Sequence, residues 1–415
     1  MNFVLQILYL ILANSSRFII PILFLPLSAR LLSNSDFEAL SITISFATWV
    51  AIVIEFGFNY SSAKQIKYDS NKVKVISVIN STLSAKIILS LLAIILGIYT
   101  SFYVGKTHFI YVLLFWLYSF FVGGMLSFVY ICQNNNKQLL KVELIGGVAF
   151  LLMIFVLWFS NIKNFYVIFV ILVAYRCMVF LLSIFFLKNK VDLSKIRLKL
   201  SSGINAIKKT YSYALFQISS SIYLYGLSLI ASIVIDKNII IYHLLAERVF
   251  KLASFFFSQA TRVIYSFLNN FTGNNKNIIV VFFCSFAVCL GIIGLIFIKT
   301  LSFIVIEIFY GKEFIAAHLN LDILAIALPF AFLNGIMSVS GFLTKGNIKY
   351  LNVTIIIAGC VSIPVCYFLS SSYPQISTSI AYVVAEGLIS LILLIKFVPE
   401  LLKENKYESR EDNIK

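Results

Sequence analysis

Apolar residues run through the chain in stretches of about 20 residues that recur from one end to the other. A helix of about 20 apolar residues crosses about 30 Å of hydrocarbon. The stretches are continuous rather than alternating, and lipid offers no partner to a bare backbone group, so the pattern predicts spanning helices and not a barrel. Polar breaks divide it into twelve predicted spans: 4–30, 39–60, 75–101, 109–132, 140–160, 164–187, 211–234, 239–266, 278–299, 317–342, 350–370 and 376–397.

Composition agrees with this pattern. Of the 415 residues, 60% are apolar and 12% are charged, against roughly 45–50% and 25% in soluble domains. Mean hydropathy is +0.97. We therefore predict an all-α integral membrane protein with about twelve transmembrane helices.

The net charge of +16 is distributed unevenly over the predicted loops. If the N-terminus is cytoplasmic, 21 basic residues lie in inner loops and 6 in outer loops. This asymmetry predicts a multi-pass protein with both termini in the cytoplasm. Membrane topology and anionic lipid account for most of the positive charge, so no nucleic-acid partner is expected.

The longest basic stretch lies near the middle of the chain, between Lys188 and Lys209, with six predicted spans on either side. It suggests a linker between two lobes. We expect an N-terminal six-helix lobe over 1–195, a basic cytoplasmic linker over 196–210, a C-terminal six-helix lobe over 211–398 and a charged cytoplasmic tail over 399–415.

Six basic residues fall inside predicted spans, together with three acids, Glu55, Glu247 and Glu386. Each cation costs roughly 2.5–3.5 kcal/mol at the centre of a lipid-facing helix. A water-filled cavity between the lobes would remove that cost, and its positive excess would bind an anion. The six cations are Arg17, Lys86, Arg176, Arg248, Lys251 and Arg262.

Their neighbours in sequence suggest different roles. Asn14 and Arg17 share a helical face with Pro21, which favours a cavity role. Glu247 and Lys251 have the i, i+4 spacing of a helix ion pair. Substrate contacts are predicted for Arg17, Lys86, Arg176, Arg248, Asn14 and Tyr223, while Arg248 has an alternative pairing with Glu55 or Glu386 and Arg262 an interfacial alternative.

Tyr223 belongs to a group of tyrosines in the seventh predicted span, with Tyr211, Tyr213 and Tyr225. A tyrosine offers a flat face and a hydroxyl, which suit a sugar, and the same residues also form aromatic belts at membrane interfaces. Both interpretations stay open. The six cysteines show no zinc spacing, so no metal site is expected.

Four segments carry a family resemblance: FIIPILFLPLSARLLSNSDFEAL at 18–40, EFGFNYSSAKQI at 55–66, YHLLAERVFK at 242–251 and YGKEFIAAHLNLDILA at 310–325. They resemble O-antigen and polysaccharide flippases, the Wzx-type members of the MOP exporter superfamily. Gln133 and Glu386 also fall where that family often has Gln and Glu. Glu38 replaces a frequent Gly, and Glu55 replaces the commoner Asp.

The resemblance implies two six-helix lobes around a central cationic cavity, as in MATE and other MOP proteins. It implies a substrate, an undecaprenyl-diphosphate-linked oligosaccharide, that alternating access moves from the cytoplasmic to the periplasmic leaflet of the bacterial inner membrane. Glu55, Glu386 and Glu247 become coupling or counter-ion residues for protons or sodium. No cofactor is implied, and a polymerase and a chain-length regulator of the same pathway are implied partners.

Two alternatives compete with a flippase. A membrane polysaccharide polymerase or ligase would need a large outer loop, whereas the longest predicted outer loop runs from about Lys299 to Ala316 and the histidines are scattered. No phosphate loop, nucleophile elbow or His-Glu-x-x-His motif points to an enzyme. A multidrug exporter of the same superfamily would carry an acidic interior, and the predicted interior is net basic.

Overall fold

The structure is a computed structural model that describes residues 9, 12–13, 24–66, 72–132, 135–160, 162–187, 195–221, 226–270, 276–343 and 347–412. Over these ranges the chain is helical and contains no β-strand. Residues 24–31 are helical. The helices that follow are α1 Asn34–Glu55, α2 Phe58–Gln65, α3 Lys72–Tyr103, α4 Phe109–Gly123, α5 Ser127–Cys132, α6 Asn136–Phe159, α7 Phe165–Leu187, α8 Leu200–Ser221, α9 Leu227–Ala231, α10 Lys237–Asn270, α11 Lys276–Tyr310, α12 Ala317–Ala325, α13 Ala327–Met337, α14 Ile348–Ser372 and α15 Ser377–Asp412.

Eight helical segments in the described part are long and apolar enough to cross a membrane. The pair α12 and α13 makes a ninth if it counts as one span bent by 43°. This confirms the all-α membrane class. The first predicted span, 4–30, lies largely outside the described residues.

Residue contacts divide the chain into two compact units, Met1–Ser221 and Ile222–Lys415. Helix α8 belongs to the first unit, where Ser61 and Thr210 share a hydrogen bond of 2.9 Å between their hydroxyls. A Cβ at Gly203 would approach Ala85 N within 3.0 Å, so the glycine permits close packing of α8 on α3. The basic linker expected at 196–210 therefore includes a helix from Leu200 onward, and the predicted lobe boundaries stay a prediction.

The first unit is built around aromatic side chains on α1, α4, α6 and α7. Tyr111 is fully buried and shares a hydrogen bond of 2.7 Å with Thr43 Oγ1. Phe150 and Tyr175 stack with centroids 4.6 Å apart. The opposite face of α6 leaves Val156 and Phe159 exposed, as suits a surface that meets lipid.

The second unit packs α10 and α11 against α12 and α13, and α14 against α15. An added Cβ at Gly291 of α11 would lie 2.4 Å from Pro329 Cα, so only glycine permits this approach. Helix α11 continues to Tyr310, which corrects the outer loop expected from Lys299 to Ala316. The residues after Lys299 stay mostly apolar, so the helix persists, and a short 3₁₀ turn at Lys312–Phe314 leads into α12.

Candidate functional site

A sharp break separates α1 from α2. Phe56 adopts a left-handed conformation with φ of 50°, and Gly57 follows with φ of 74°. A Cβ on Gly57 would lie 2.8 Å from the backbone carbon of Tyr213 in α8. Glycine is required here both by its backbone angle and by the close approach of α8.

Glu55 lies at this break and caps α2. Its Oε2 accepts a hydrogen bond of 3.1 Å from Gly57 N, and its Oε1 accepts one of 2.7 Å from Asn59 N. The free N–H groups and positive dipole of a helix N-terminus stabilise such a carboxylate. Glu55 is 9% exposed, so this capping accounts for a buried charge.

A second break separates α4 from α5, and Lys86 of α3 is bound to it. The side chain is fully buried, and Nζ donates to the carbonyl oxygens of Gly123 at 2.9 Å and Met125 at 2.8 Å. A cation at the C-terminal end of a helix satisfies carbonyls that have no helical partner. The predicted contact of Lys86 with substrate stays a prediction, and it would require these bonds to exchange.

The two breaks are neighbours. Ser127 Oγ, at the start of α5, donates a hydrogen bond of 3.2 Å to Asn59 Oδ1 in α2. A Cβ at Gly123 would lie 2.5 Å from Ala51 O of α1. The first unit therefore contains one polar region in which two interrupted helices are held by an acid and a base.

Arg176 of α7 occupies another polar position in the first unit. Its guanidinium lies 4.7 Å from the ring centroid of Tyr175 and interacts electrostatically with Tyr118 of α4 and Glu143 of α6. Within the described part of the chain, its Nε–H has no hydrogen-bond partner. A partly buried guanidinium with an unused, buried Nε–H donor suits an anionic ligand.

Glu143 corrects the count of acids inside the membrane. The sequence analysis placed only Glu55, Glu247 and Glu386 there, yet Glu143 is fully buried in the span-length helix α6, and Asp322 lies in α12 of the bent pair. Glu143 falls within the predicted span 140–160 and Asp322 within 317–342. The predicted boundaries were therefore enough to place both acids inside the membrane. The number of acids inside the predicted spans is therefore larger than expected.

In the second unit, the ion pair predicted between Glu247 and Lys251 is confirmed. Glu247 is buried, and the Lys251 side chain is 16% exposed. Arg248 is partly buried and interacts electrostatically with Lys251 and Tyr310. The alternative pairing of Arg248 with Glu55 or Glu386 stays a prediction.

Glu386 of α15 lies in a network of side chains that reaches α13. Its Oε2 accepts a hydrogen bond of 2.8 Å from Asn334 Nδ2, and its Oε1 accepts one of 3.2 Å from Tyr382 Oη. Ser390 Oγ completes the group by donating to Asn334 Oδ1 at 2.7 Å. Glu386 is only 4% exposed, so these hydrogen bonds replace the contacts that water would make.

His243 of α10 is a polar residue that the sequence analysis left among scattered histidines. It is 3% exposed, and its Nδ1 lies 2.8 Å from Ser379 Oγ of α15. Ser379 Oγ donates to Asn320 Oδ1 of α12 at 2.6 Å. The four-residue spacing of His243, Glu247 and Lys251 could have indicated a shared helix face.

Several predicted residues fall outside the described structure. Arg17, Asn14 and Tyr223 lie outside the described ranges, and so does Pro21. Arg262 lies on α10, but its side chain is not described. The cationic cavity between lobes stays a prediction, as do these contacts. Over the described ranges, no three side chains of His, Cys, Asp or Glu come together as metal ligands do.

The geometry of these residues does not assign the chain to a family, whereas a comparison with known families does. The sequence pattern of the family described as "Polysaccharide biosynthesis protein" matches residues 3–265. The chain belongs to this family. A comparison with curated protein sequences finds no significant match.

Solved structures of MOP-superfamily transporters share the fold along nearly the whole chain. The lipid II flippase MurJ, in an inward closed conformation, superimposes with a TM-score of 0.72 at 17% identity, over 96% of this chain and 90% of that one. An inward-facing multidrug resistance MATE transporter of the MOP superfamily gives 0.68 at 14% identity, over 96% of both chains. The eukaryotic MATE transporter AtDTX14 gives 0.66 at 13%, over 97% and 98%.

These findings confirm the family resemblance and the fold class drawn from the sequence. The family is one of polysaccharide biosynthesis, and the similar structures, a flippase and transporters, have the fold of this chain. The protein is a multi-pass membrane protein. Its orientation stays a prediction.

Proposed function

We propose that this protein is a flippase for undecaprenyl-diphosphate-linked O-antigen or polysaccharide repeat units. It moves them from the cytoplasmic to the periplasmic leaflet of the bacterial inner membrane by alternating access. The observation that carries the proposal is the match of the polysaccharide biosynthesis family over residues 3–265. This chain shares its fold with a lipid II flippase and with transporters, which supports a role in transport.

The diphosphate of such a substrate needs donors that can release it again. Arg17, Arg176 and Arg248 are the proposed donors, and Asn14 and Tyr223 would contact the sugars. The unused Nε–H of Arg176 supports its place among them. Lys86 would join them only in a conformation that releases the carbonyls of Gly123 and Met125.

The buried acids would supply counter-ions or coupling sites. Glu55, Glu247 and Glu386 are buried inside the two units, and ionisable groups inside a membrane are usually functional. Protons or sodium ions would drive the cycle, and no cofactor takes part. Further partners would be the lipid bilayer and the polymerase and chain-length regulator of the same pathway, without nucleic acid.

The leaflet occupied by the lipid-linked repeat unit tests this function. A bacterial strain that lacks this protein and any substitute flippase should accumulate the repeat unit in the cytoplasmic leaflet, out of reach of an impermeant label added to the periplasm. The wild-type gene should restore labelling and long polymer. Normal labelling in the deletion strain would contradict the proposal.

Single charge changes then test the donors. Arg17→Glu and Arg176→Gln should abolish or strongly reduce export while membrane insertion, followed by the amount of folded protein, stays normal. Lys74→Glu is the matched control, because Lys74 is exposed at the start of α3. Export that persists with Arg176→Gln removes Arg176 from the substrate site.

A multidrug exporter is the second candidate, because multidrug MATE transporters share the fold. Glu143, which is fully buried, and Asp322, which is partly buried, add two acids to the three expected inside the membrane. Resistance to cationic drugs on overexpression, without any effect on polymer, would favour this candidate. The polymerase or ligase alternative has less support, since the connection from α11 to α12 is shorter than the predicted loop.

A further inference from the structure

A titratable stripe runs along one face of α10. His243, Glu247 and Lys251 follow each other at intervals of four residues, so each lies one helical turn from the next. Glu247 and Lys251 form an ion pair, and His243 is 3% exposed. A buried histidine one helical turn from an ion pair is a site at which a proton can change the charge balance of a membrane helix.

Hydrogen bonds fix the tautomer of His243. Ser379 has one hydroxyl proton, and it donates this proton to Asn320 Oδ1 at 2.6 Å. The contact of 2.8 Å between Ser379 Oγ and His243 Nδ1 therefore requires Nδ1 to carry the hydrogen and donate it. Nε2 is then the nitrogen that holds a lone pair and can accept a proton.

Protonation of His243 at Nε2 depends on the charged groups around the ring. Among the described residues, the charged groups on its own helix face are Glu247, one turn away, and Lys251, two turns away. Ser379 of α15, which contacts it, is neutral, and so is Asn320 of α12, which accepts from Ser379. Arg248 adds positive charge next to Lys251. Burial itself disfavours the charged ring, so protonation requires water or a closer Glu247.

The same residue connects three helices. Through Ser379 and Asn320, His243 of α10 is bonded to α15 and, by one further step, to α12. A second proton on the ring would make Glu247 the counter-ion of two cations, His243 and Lys251, and would weaken its hold on Lys251. A change in protonation is thereby converted into a change in side-chain bonds within the second unit.

We propose that His243 is a proton-binding residue of the transport cycle, with Nε2 as the acceptor and Glu247 as the counter-ion. Neutral His243 takes a proton from water on one side and returns it to water on the other, and no other bond is formed or broken. The inference rests on the proposed flippase function for its role in transport. The chemistry of the site itself does not depend on the substrate.

Nitrogen NMR of the full chain in lipid nanodiscs tests the site without substrate. With ¹⁵N-labelled histidine the protein gives signals from only His108, His243 and His318, and His108→Asn and His318→Asn assign them. We expect a neutral Nδ1–H tautomer at high pH and protonation at Nε2 at lower pH. Glu247→Gln should shift the midpoint to lower pH and Lys251→Met to higher pH.

A neutral Nε2–H tautomer would overturn the proposal, because the hydrogen-bond order from Asn320 would then be reversed. So would a His243 signal that does not titrate before the protein unfolds, or a midpoint that neither variant moves.

Export in the deletion strain tests the role in transport. His243→Asn places an amide donor near the Nδ1 position and cannot titrate, so it keeps the bond to Ser379. We expect normal insertion, export reduced by about tenfold or more, as for ordinary coupling free energies, and loss of any dependence on external pH. His108→Asn and His318→Asn should leave export unchanged.

The outcomes separate the two proposals. Wild-type export by His243→Asn at every pH overturns the proton role and leaves the flippase assignment standing. Failure of the wild-type gene to restore export refutes the flippase assignment, and the NMR titration still decides whether His243 binds a proton.

Discussion

The two units of the protein satisfy their buried charges in different ways. In the first unit, Glu55 and Lys86 are bound to backbone groups at the ends of interrupted helices. In the second, Glu247 is bound to Lys251, and Glu386 to Asn334 and Tyr382. The first arrangement joins a charge to the main chain, and the second joins side chains to each other.

This difference matters for the alternating-access cycle proposed above. A backbone N–H or C=O at a helix end needs a partner in lipid, so its capping charge cannot leave without exposing it. A side-chain partner can rotate away, exchange or take up a proton at smaller cost. We therefore expect Glu55 and Lys86 to maintain the fold of the first unit, with Glu55 as a fixed counter-ion, and Glu247 and Glu386 to change state in the proposed cycle.

The largest expected effect follows from removing the base at the second break. Lys86→Met leaves two buried carbonyls without their donor, so we expect the protein to lose about 3–5 kcal/mol of stability. Thermal unfolding in detergent measures the loss, and Lys74→Met is the exposed control. Normal stability with lost export would instead make Lys86 a substrate ligand and would break the comparison.

The break between α1 and α2 gives the next effect. Gly57→Ala forces a side chain into a backbone angle of +74° and against Tyr213, and we expect a loss of about 2–3 kcal/mol. Gly387→Ala in α15 is the control, because an added Cβ there meets nothing within 4 Å. Equal melting temperatures for the two variants would show that the backbone between α1 and α2 accommodates a side chain at position 57 at little cost in stability.

A smaller effect is expected at the ion pair of the second unit. Glu247→Gln leaves Lys251 partly buried without its carboxylate, and we expect a loss of about 1–2 kcal/mol. The double variant Glu247→Gln with Lys251→Met should recover most of it, since it removes both charges. A double variant no more stable than the single one would assign the loss to packing and not to charge.

The smallest effect on stability is expected at Glu386. Glu386→Gln keeps one oxygen, which can accept from Asn334, and its amide can donate to Tyr382 Oη, so unfolding should change by less than about 1 kcal/mol. Export should nevertheless fall if the charge of Glu386 is used in the cycle. A large loss of stability would place Glu386 with the capping residues of the first unit.

The Glu247–Lys251 pair shows how much of the site could be predicted from sequence. Its two residues lie one turn apart on the same helix, and helix geometry alone brings them together. The partners of Lys86 are 37 and 39 residues away, on a helix end that apolar periodicity runs straight through. The apolar residues around Lys86 predicted that it lies inside a membrane span, and the helix that contains it is long and apolar enough to be one. They gave no information on what Lys86 binds.

Apolar run length and charge asymmetry by themselves determined the helical membrane class, the approximate spans and the expected orientation, because the free energy of inserting a segment depends mainly on its own residues. Only the tertiary structure decided which charge meets which partner. Hydrogen bonds such as those of Lys86 to Gly123, or of His243 to Ser379, form between helices that are distant in sequence. Their geometry depends on packing and on the exact residue at which a helix breaks, and hydropathy averages over both.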